Sequence, residues 1–182
     1  MLEREEAFAG GRIWAEVTRE HGFEPLTVEG TLPSCLSGTL YRNGPGRFEV
    51  SGQRVPHPFD GDGAVDAIRI SGGQAHHALR MVNNPSLAVE SRLGRPLGGF
   101  GLKSDRPLLD LLRRRFRNAA NTSVLPWQGR LFALWEAGLP TEVDPENLET
   151  LGETDLGIIP ETFSAHPHRH PSGSWYLSLI HI

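Results

Sequence analysis

The chain has 182 residues, with 18 Lys and Arg against 22 Asp and Glu and a formal charge of −4. That mild balance excludes a nucleic-acid binder whose affinity comes from phosphate neutralisation. Charged residues make up 22%, close to the usual quarter, which excludes acidic disorder.

One cysteine, Cys35, excludes an internal disulfide framework and fits a reducing compartment. It reads as an inert thiol next to a turn. No run of about 18 apolar residues is present to span a membrane. The acidic start, Met1-Leu2-Glu3-Arg4-Glu5-Glu6, lacks the apolar region of a secretory signal. The expected location is cytoplasmic.

The chain holds 21 Gly and 14 Pro, about one residue in five where one in eight is usual. Such punctuation cuts it into short pieces and disfavours a helical bundle. Ala7, Ile13, Trp14 and Val17 predict a short amphipathic helix over Glu5 to Arg19, closed by Gly22 and Pro25. From Val28 the texture turns to β. Thr39-Leu40-Tyr41-Arg42 reads as a strand left through a turn at Asn43-Gly44-Pro45-Gly46. Arg47 to Val50 reads as another. Val65 to Ile70 and Gln74 to Val82 read as a hairpin about Ser71-Gly72-Gly73.

Three glycines between Leu97 and Asp105 read as a mobile loop. Pro107 to Arg117 is the best helix pattern. Strands then return at Thr122 to Leu125, Arg130 to Glu136, Leu148 to Leu151, Thr162 to Ala165 and Ser174 to Leu177. Many short strands with regular turns mean a sandwich, a barrel or a propeller. No internal repeat chooses among them.

Two stretches carry possible chemistry. Asp60-Gly61-Asp62-Gly63 has the look of a calcium loop, but the third ligand position is Ala64 and the terminal Glu is Ser71, so EF-hand binding is rejected. Gly44-Pro45-Gly46 is followed by no Gly-Lys-Ser/Thr and is no phosphate cradle. The second stretch is Ser164-Ala165-His166-Pro167-His168-Arg169-His170-Pro171. The prolines forbid a helix, and on an extended segment the three imidazoles share one face. A surface His-rich loop and a metal ligand both fit. His57, His76 and His77 are further candidates, more ordinarily solvated or hydrogen-bonded.

Together these stretches resemble the carotenoid cleavage oxygenase family. The match runs through Gly30-x-Leu32-Pro33, Gly38-Thr39-Leu40-Tyr41-Arg42-Asn43-Gly44-Pro45 and His57-x-Phe59-Asp60-Gly61-Asp62-Gly63. It continues through Ala120-Asn121-Thr122, Gly129 to Glu136, Asp144-Pro145-x-x-Leu148-Glu149-Thr150 and Phe163-Ser164-Ala165-His166-Pro167. The resemblance implies an all-β chain, part of a seven-bladed β-propeller, with an N-terminal helix and one inserted amphipathic helix. Residues 1–24 would be a helical extension and 25–176 the N-terminal portion of the propeller. Residues 177–182 leave the family pattern and read as an artefactual or truncated tail.

The resemblance also implies an enzyme, a non-haem Fe(II) dioxygenase. With O2 it would split a C=C bond of a lipophilic polyene into two carbonyl products. Four histidines from different blades hold the iron in the family. His166, in Ala-His-Pro, is the one implied here, and the other three are expected outside this chain. Glu136 is the implied outer carboxylate, which orients a ligand ring and offsets the metal charge. Alone, the chain is expected to be inactive.

Stilbene-cleaving members carry Lys just before that Glu. Trp135 stands there instead and suits an apolar substrate tunnel, which favours a carotenoid or apocarotenoid. A stilbene dioxygenase, a more remote retinoid isomerohydrolase and a non-catalytic propeller module are the alternatives. In the helix over 107–117, Leu108, Leu109, Leu112 and Phe116 form one stripe with Arg at its edges. It reads either as a peripheral membrane contact or as a helix packed on the propeller.

Overall fold

The computed structural model describes residues 15–50, 52–95, 97–98, 108, 117–136, 138–159 and 162–177. Its first sheet grows from the Gly-Gly hairpin. β5 (Asp62–Ser71) and β6 (Gln74–Met81) pair from Ser71 with Gln74 back to Ala64 with Met81. Gly72 and Gly73 both take positive φ, 58° and 78°, as a two-residue turn of the hairpin's own twist requires. β1 (His21–Pro25) pairs with β6, and β2 (Gly38–Arg47) pairs with β5, giving the order β1-β6-β5-β2. The second sheet is a meander in the order β10-β9-β8-β7. Its strands are β7 (Ser123–Trp127), β8 (Arg130–Leu134), β9 (Thr141–Val143) and β10 (Thr150–Glu153). Two small ribbons complete the strands: β3 (Glu49–Val50) with β4 (Gln53–Arg54), and β11 (His168–Arg169) with β12 (Trp175–Tyr176).

Strand parity builds the layers. Successive side chains point to opposite faces. On β8, Leu131 and Ala133 pack against Val65, Ala67, Ala78 and Val82 of the first sheet's side of the core. Phe132 and Leu134, between them, pack with Leu125, Ile159 and Phe163 on the far side. Both faces of β8 are therefore buried, which is why it reads as a continuous apolar run.

The two sheets are also tied by polar groups. Arg69 donates to Glu146 and to the carbonyl of Pro145, both at 3.0 Å. Arg80 donates to the carbonyl of Asn147 at 2.8 Å. Asn43 Nδ2 donates to the carbonyls of Ala120 and Ser123 at 2.9 and 2.8 Å.

Four expectations are corrected. The Asn43-Gly44-Pro45-Gly46 turn is strand: β2 runs through it, with Asn43, Gly44 and Pro45 opposite Val65, Ala64 and Gly63. β2 lies at the edge of its sheet, where a missing proline N–H costs little. Gly46 is there for space, since a Cβ would come within 2.7 Å of Ala64 Cβ. The helix expected over Glu5 to Arg19 lies outside the described residues up to position 14, and its described end, 15–19, is not helical. In that segment Val17 N–H donates to the Gly46 carbonyl at 2.7 Å. The segment leads into β1, so the span 1–24 is not helical throughout.

Thr162 to Ala165 is not a strand. The inserted amphipathic helix lies outside the described residues except at its ends. Leu108 is 76% exposed, while Arg117, expected as one of its solvated basic edges, is 1% exposed and not helical. An unpredicted helix, α1 (Pro85–Leu93), follows β6. Asn84 caps it by accepting from Leu87 N–H, Pro85 stands in its first turn, and Gly94 ends it at φ 61°. It carries little apolar stripe, and periodicity therefore missed it.

Candidate functional site

The Asp60-Gly61-Asp62-Gly63 stretch is structural. Asp60 and Asp62 are buried. Asp62 takes Arg47 Nε at 2.9 Å and Arg117 Nη2 at 2.5 Å. Arg117 also holds Glu90 Oε2 at 2.5 Å and the Asp60 carbonyl at 3.1 Å. Desolvation pushes the Glu90 carboxyl above its ordinary range, against the pull of Arg117. Gly63 lies against the Ala119–Ala120 backbone, where a Cβ would meet Ala120 O at 2.0 Å.

Three of the six candidate histidines also have structural partners. His57 Nδ1 accepts from Phe59 N–H at the start of a 3-10 turn, Pro58–Asp60. His77 pairs with Asp66 at 2.9 Å. His170 joins Ser172 at 2.8 Å inside the β11–β12 turn. His168 is exposed on β11, opposite Tyr176. Among the described residues, no group of three or more His, Cys, Asp or Glu is placed to hold a metal ion.

His166 and Glu136 stand apart from these. Glu136 follows β8, and Glu136 Oε2 accepts the N–H of Ala165 at 2.7 Å, across 29 positions of sequence. The carboxylate therefore sits against the residue that precedes His166. His166 is exposed, and its own N–H donates to Ser164 Oγ at 3.2 Å. Ser123 Oγ donates to the carbonyl of Ala165. Phe163 N–H donates to the Gly138 carbonyl at 3.0 Å. Gly138 is held so close to Asn118 that a Cβ would come 2.5 Å from its Cγ. Asn118 cannot readily swing away, because its Nδ2 donates to Leu139 O and Glu153 Oε1 at 2.9 and 2.7 Å.

Trp135 is half-buried at the end of β8, one residue before Glu136. Two surface clefts lie elsewhere. One is bounded by Tyr41, Trp127, Arg130 and Pro145, the other by Leu26, Val28, Ala75 and His76, and neither includes His166 or Glu136. Of the stripe expected to meet a membrane, only Leu108 is described; Leu109, Leu112 and Phe116 lie outside the described residues. No described helix is long and apolar enough to cross a membrane. Sequence reasoning missed Ser123, because a lone serine opening a strand carries no motif.

The arrangement suits one corner of a metal site. An open-faced imidazole is a good ligand type for Zn and Fe, and it follows a backbone held by a carboxylate and two hydroxyls. Two four-stranded antiparallel sheets packed together have the architecture of blades of an all-β propeller. A solved structure of cobalt-substituted Synechocystis apocarotenoid oxygenase shares this architecture: TM-score 0.70, 39% identity, covering 84% of this chain and 33% of that one.

The chain belongs to the family described as retinal pigment epithelial membrane protein, whose model matches residues 14–180. It is 40% identical over 158 residues to apocarotenoid-15,15'-oxygenase of Synechocystis sp., covering 81% of this chain and 32% of the relative. It is also 40% identical over 153 residues to resveratrol cleavage oxygenase 1 of Chaetomium globosum, covering 81% of this chain and 25% of that relative. The chain thus spans about a third or less of the curated relatives it matches.

Proposed function

We propose that this chain is part of a non-haem Fe(II) dioxygenase that cleaves a C=C bond of a carotenoid or apocarotenoid. One O2 and one alkene give two carbonyl products, with one oxygen atom in each and no external electron donor. The bond from Glu136 to Ala165 N–H carries this reading. It brings the carboxylate expected around the metal against the residue before the expected ligand.

His166 would supply one imidazole nitrogen to the iron. Glu136 anchors the segment on which His166 stands, and its charge would help to offset that of a bound cation. When bound, the iron supplies O2 activation. Trp135 adds an apolar wall toward a lipophilic polyene.

A second reading, a stilbene-type substrate, is supported by the likeness to a resveratrol cleavage oxygenase. Trp135 weighs against it, because no cation stands before Glu136 to stabilise a phenolate. A single imidazole cannot replace four. The 182 residues alone are therefore expected to retain no stoichiometric iron and to be inactive.

The test uses protein expressed from the reading frame that carries these residues, taken to its stop codon. Iron per chain and O2-dependent formation of two aldehydes from an apocarotenoid are measured for wild type and His166→Ala. About one iron per chain in wild type, lost in the variant together with cleavage, is the expected result. Equal iron in both, or cleavage without O2, refutes the proposal.

A further inference from the structure

The peptide plane that joins Ala165 to His166 is gripped at both ends. Ser123 Oγ donates to its carbonyl oxygen, and Ser164 Oγ accepts its N–H at 3.2 Å. The preceding plane is held by Glu136, which accepts the Ala165 N–H at 2.7 Å. Ala165 is 0% exposed, so its backbone groups depend on these protein partners. A peptide plane is rigid. Fixing its orientation fixes where the next Cα, and with it the direction of the His166 side chain, begins.

Ser123 is itself tied down. It opens β7, pairs with Leu134 of β8, and its carbonyl accepts Asn43 Nδ2 at 2.8 Å. Asn43 stands on β2 of the first sheet and also donates to the Ala120 carbonyl at 2.9 Å. A hydrogen-bonded path thus runs from Asn43 in the first sheet through Ser123 in the second to Ala165.

We propose that Ser123 is a positioning residue for His166, holding the Ala165–His166 peptide plane in register with the two sheets. The inference rests on the reading of His166 as a metal ligand. It adds a residue that acts through the backbone preceding His166 and that no motif singles out. A metal site keeps its ligands at fixed distances only if their backbone is held. The side chain needed at position 123 must be short and must donate a proton toward a buried carbonyl. Ser meets both needs, and Thr keeps the donor on a β-branched body suited to a strand.

The test compares wild type, Ser123→Ala and Ser123→Thr. Hydrogen exchange of the peptide spanning 162–168 is measured in the 182-residue chain. In Ser123→Ala, exchange of that peptide is expected to be about tenfold faster, the size of one lost hydrogen bond. Peptides of β5 and β6 should be unchanged, and Ser123→Thr should behave as wild type. In protein expressed from the whole reading frame and loaded with Co(II), the visible absorption of the metal should shift in Ser123→Ala and return in Ser123→Thr.

Unchanged exchange and an unchanged spectrum in Ser123→Ala overturn the role of Ser123 while leaving His166 as ligand. Failure of Thr to restore either signal also overturns it, because the hydroxyl would then not be the operative group. A wild type that takes up no Co(II) overturns the ligand reading of His166, and this proposal with it.

Discussion

Replacing Arg117 by Met tests how the first sheet is held to the segment that follows α1. The guanidinium contacts Glu90 Oε2 and Asp62 Oδ1, both at 2.5 Å, and all three side chains are 1% exposed. Met fills most of the same stem but leaves the carboxylates behind. Asp62 retains Arg47 at 2.9 Å. Glu90 retains the Leu97 N–H at 2.8 Å, a single neutral donor for a buried charge.

Breaking a buried pair on one side costs about 3–5 kcal/mol. Domain stabilities are about 5–15 kcal/mol, so the loss is a large share of the total. Burial already raises the Glu90 carboxyl above its usual value of 4.5. An acid whose folded pKa is raised stabilises the fold fully below the unfolded value. That contribution is lost as pH rises through the folded pKa. Without Arg117 the folded value rises further and the window widens. The deficit of the variant should therefore be smaller at pH 5 than at pH 7.

Urea unfolding followed by tryptophan fluorescence reads both quantities. Adding Glu90→Gln to Arg117→Met should recover part of the loss, since the stranded charge is gone. If Arg117→Met lies within about 1 kcal/mol of wild type at pH 7, or if its deficit grows on acidification, the reasoning is wrong.

Gly63→Ala should cost about 3 kcal/mol or more, because its Cβ would meet Ala120 O at 2.0 Å; Gly22→Ala, where a Cβ meets nothing within 4 Å, is the control. Equal urea midpoints for the two variants would refute that packing argument. Arg130 bonds hold the Glu142 carboxyl below its usual 4.5, so this pair stabilises above that pH and fades as pH falls through the lowered value. The pair is partly exposed, which keeps the effect under about 1 kcal/mol, and Glu142→Gln should flatten the acid limb of the stability curve by that amount. Trp135→Lys in the whole protein should lower apocarotenoid cleavage and raise turnover of a 4-hydroxystilbene; strong stilbene turnover by the unmutated enzyme would reverse the substrate preference. If the stripe over 108–116 meets a membrane, Leu109→Asp and Phe116→Asp should weaken co-sedimentation with anionic vesicles, and binding equal to wild type ends that proposal.

The parts legible in the sequence are those whose physics is local. Gly72-Gly73 between two β runs specifies a hairpin turn whatever surrounds it, and the β5–β6 pairing follows it residue by residue. The apolar run of β8 announces burial on two faces, which the packing of Leu131 and Phe132 on opposite sides carries out. Where the partner decides, local chemistry misleads. Asn43-Gly44-Pro45-Gly46 has every turn residue, yet β5 supplies a partner for each of the first three, and the close approach of Ala64 requires the fourth to be Gly. Val17 belongs to an apolar pattern of helical spacing, but its N–H is taken by the carbonyl of Gly46. The helix α1 did carry signals, Asn84-Pro85 at its start and Gly94 after it, and caps would have found what periodicity did not.

The same distinction separates Glu136 from Ser123. Both hold Ala165, one at its N–H and one at its carbonyl. Glu136 is legible because its charge makes it conspicuous beside an apolar run and a family motif contains it. Ser123 is an unremarkable residue whose meaning lies 42 positions away. A backbone carbonyl has no sequence signature, so the donor that satisfies it has none either. The groups that set a ligand's direction are therefore harder to read than the ligand itself. That is why the exchange of Ala165 and His166, rather than the loss of His166, discriminates between a positioned imidazole and one merely exposed on a loop.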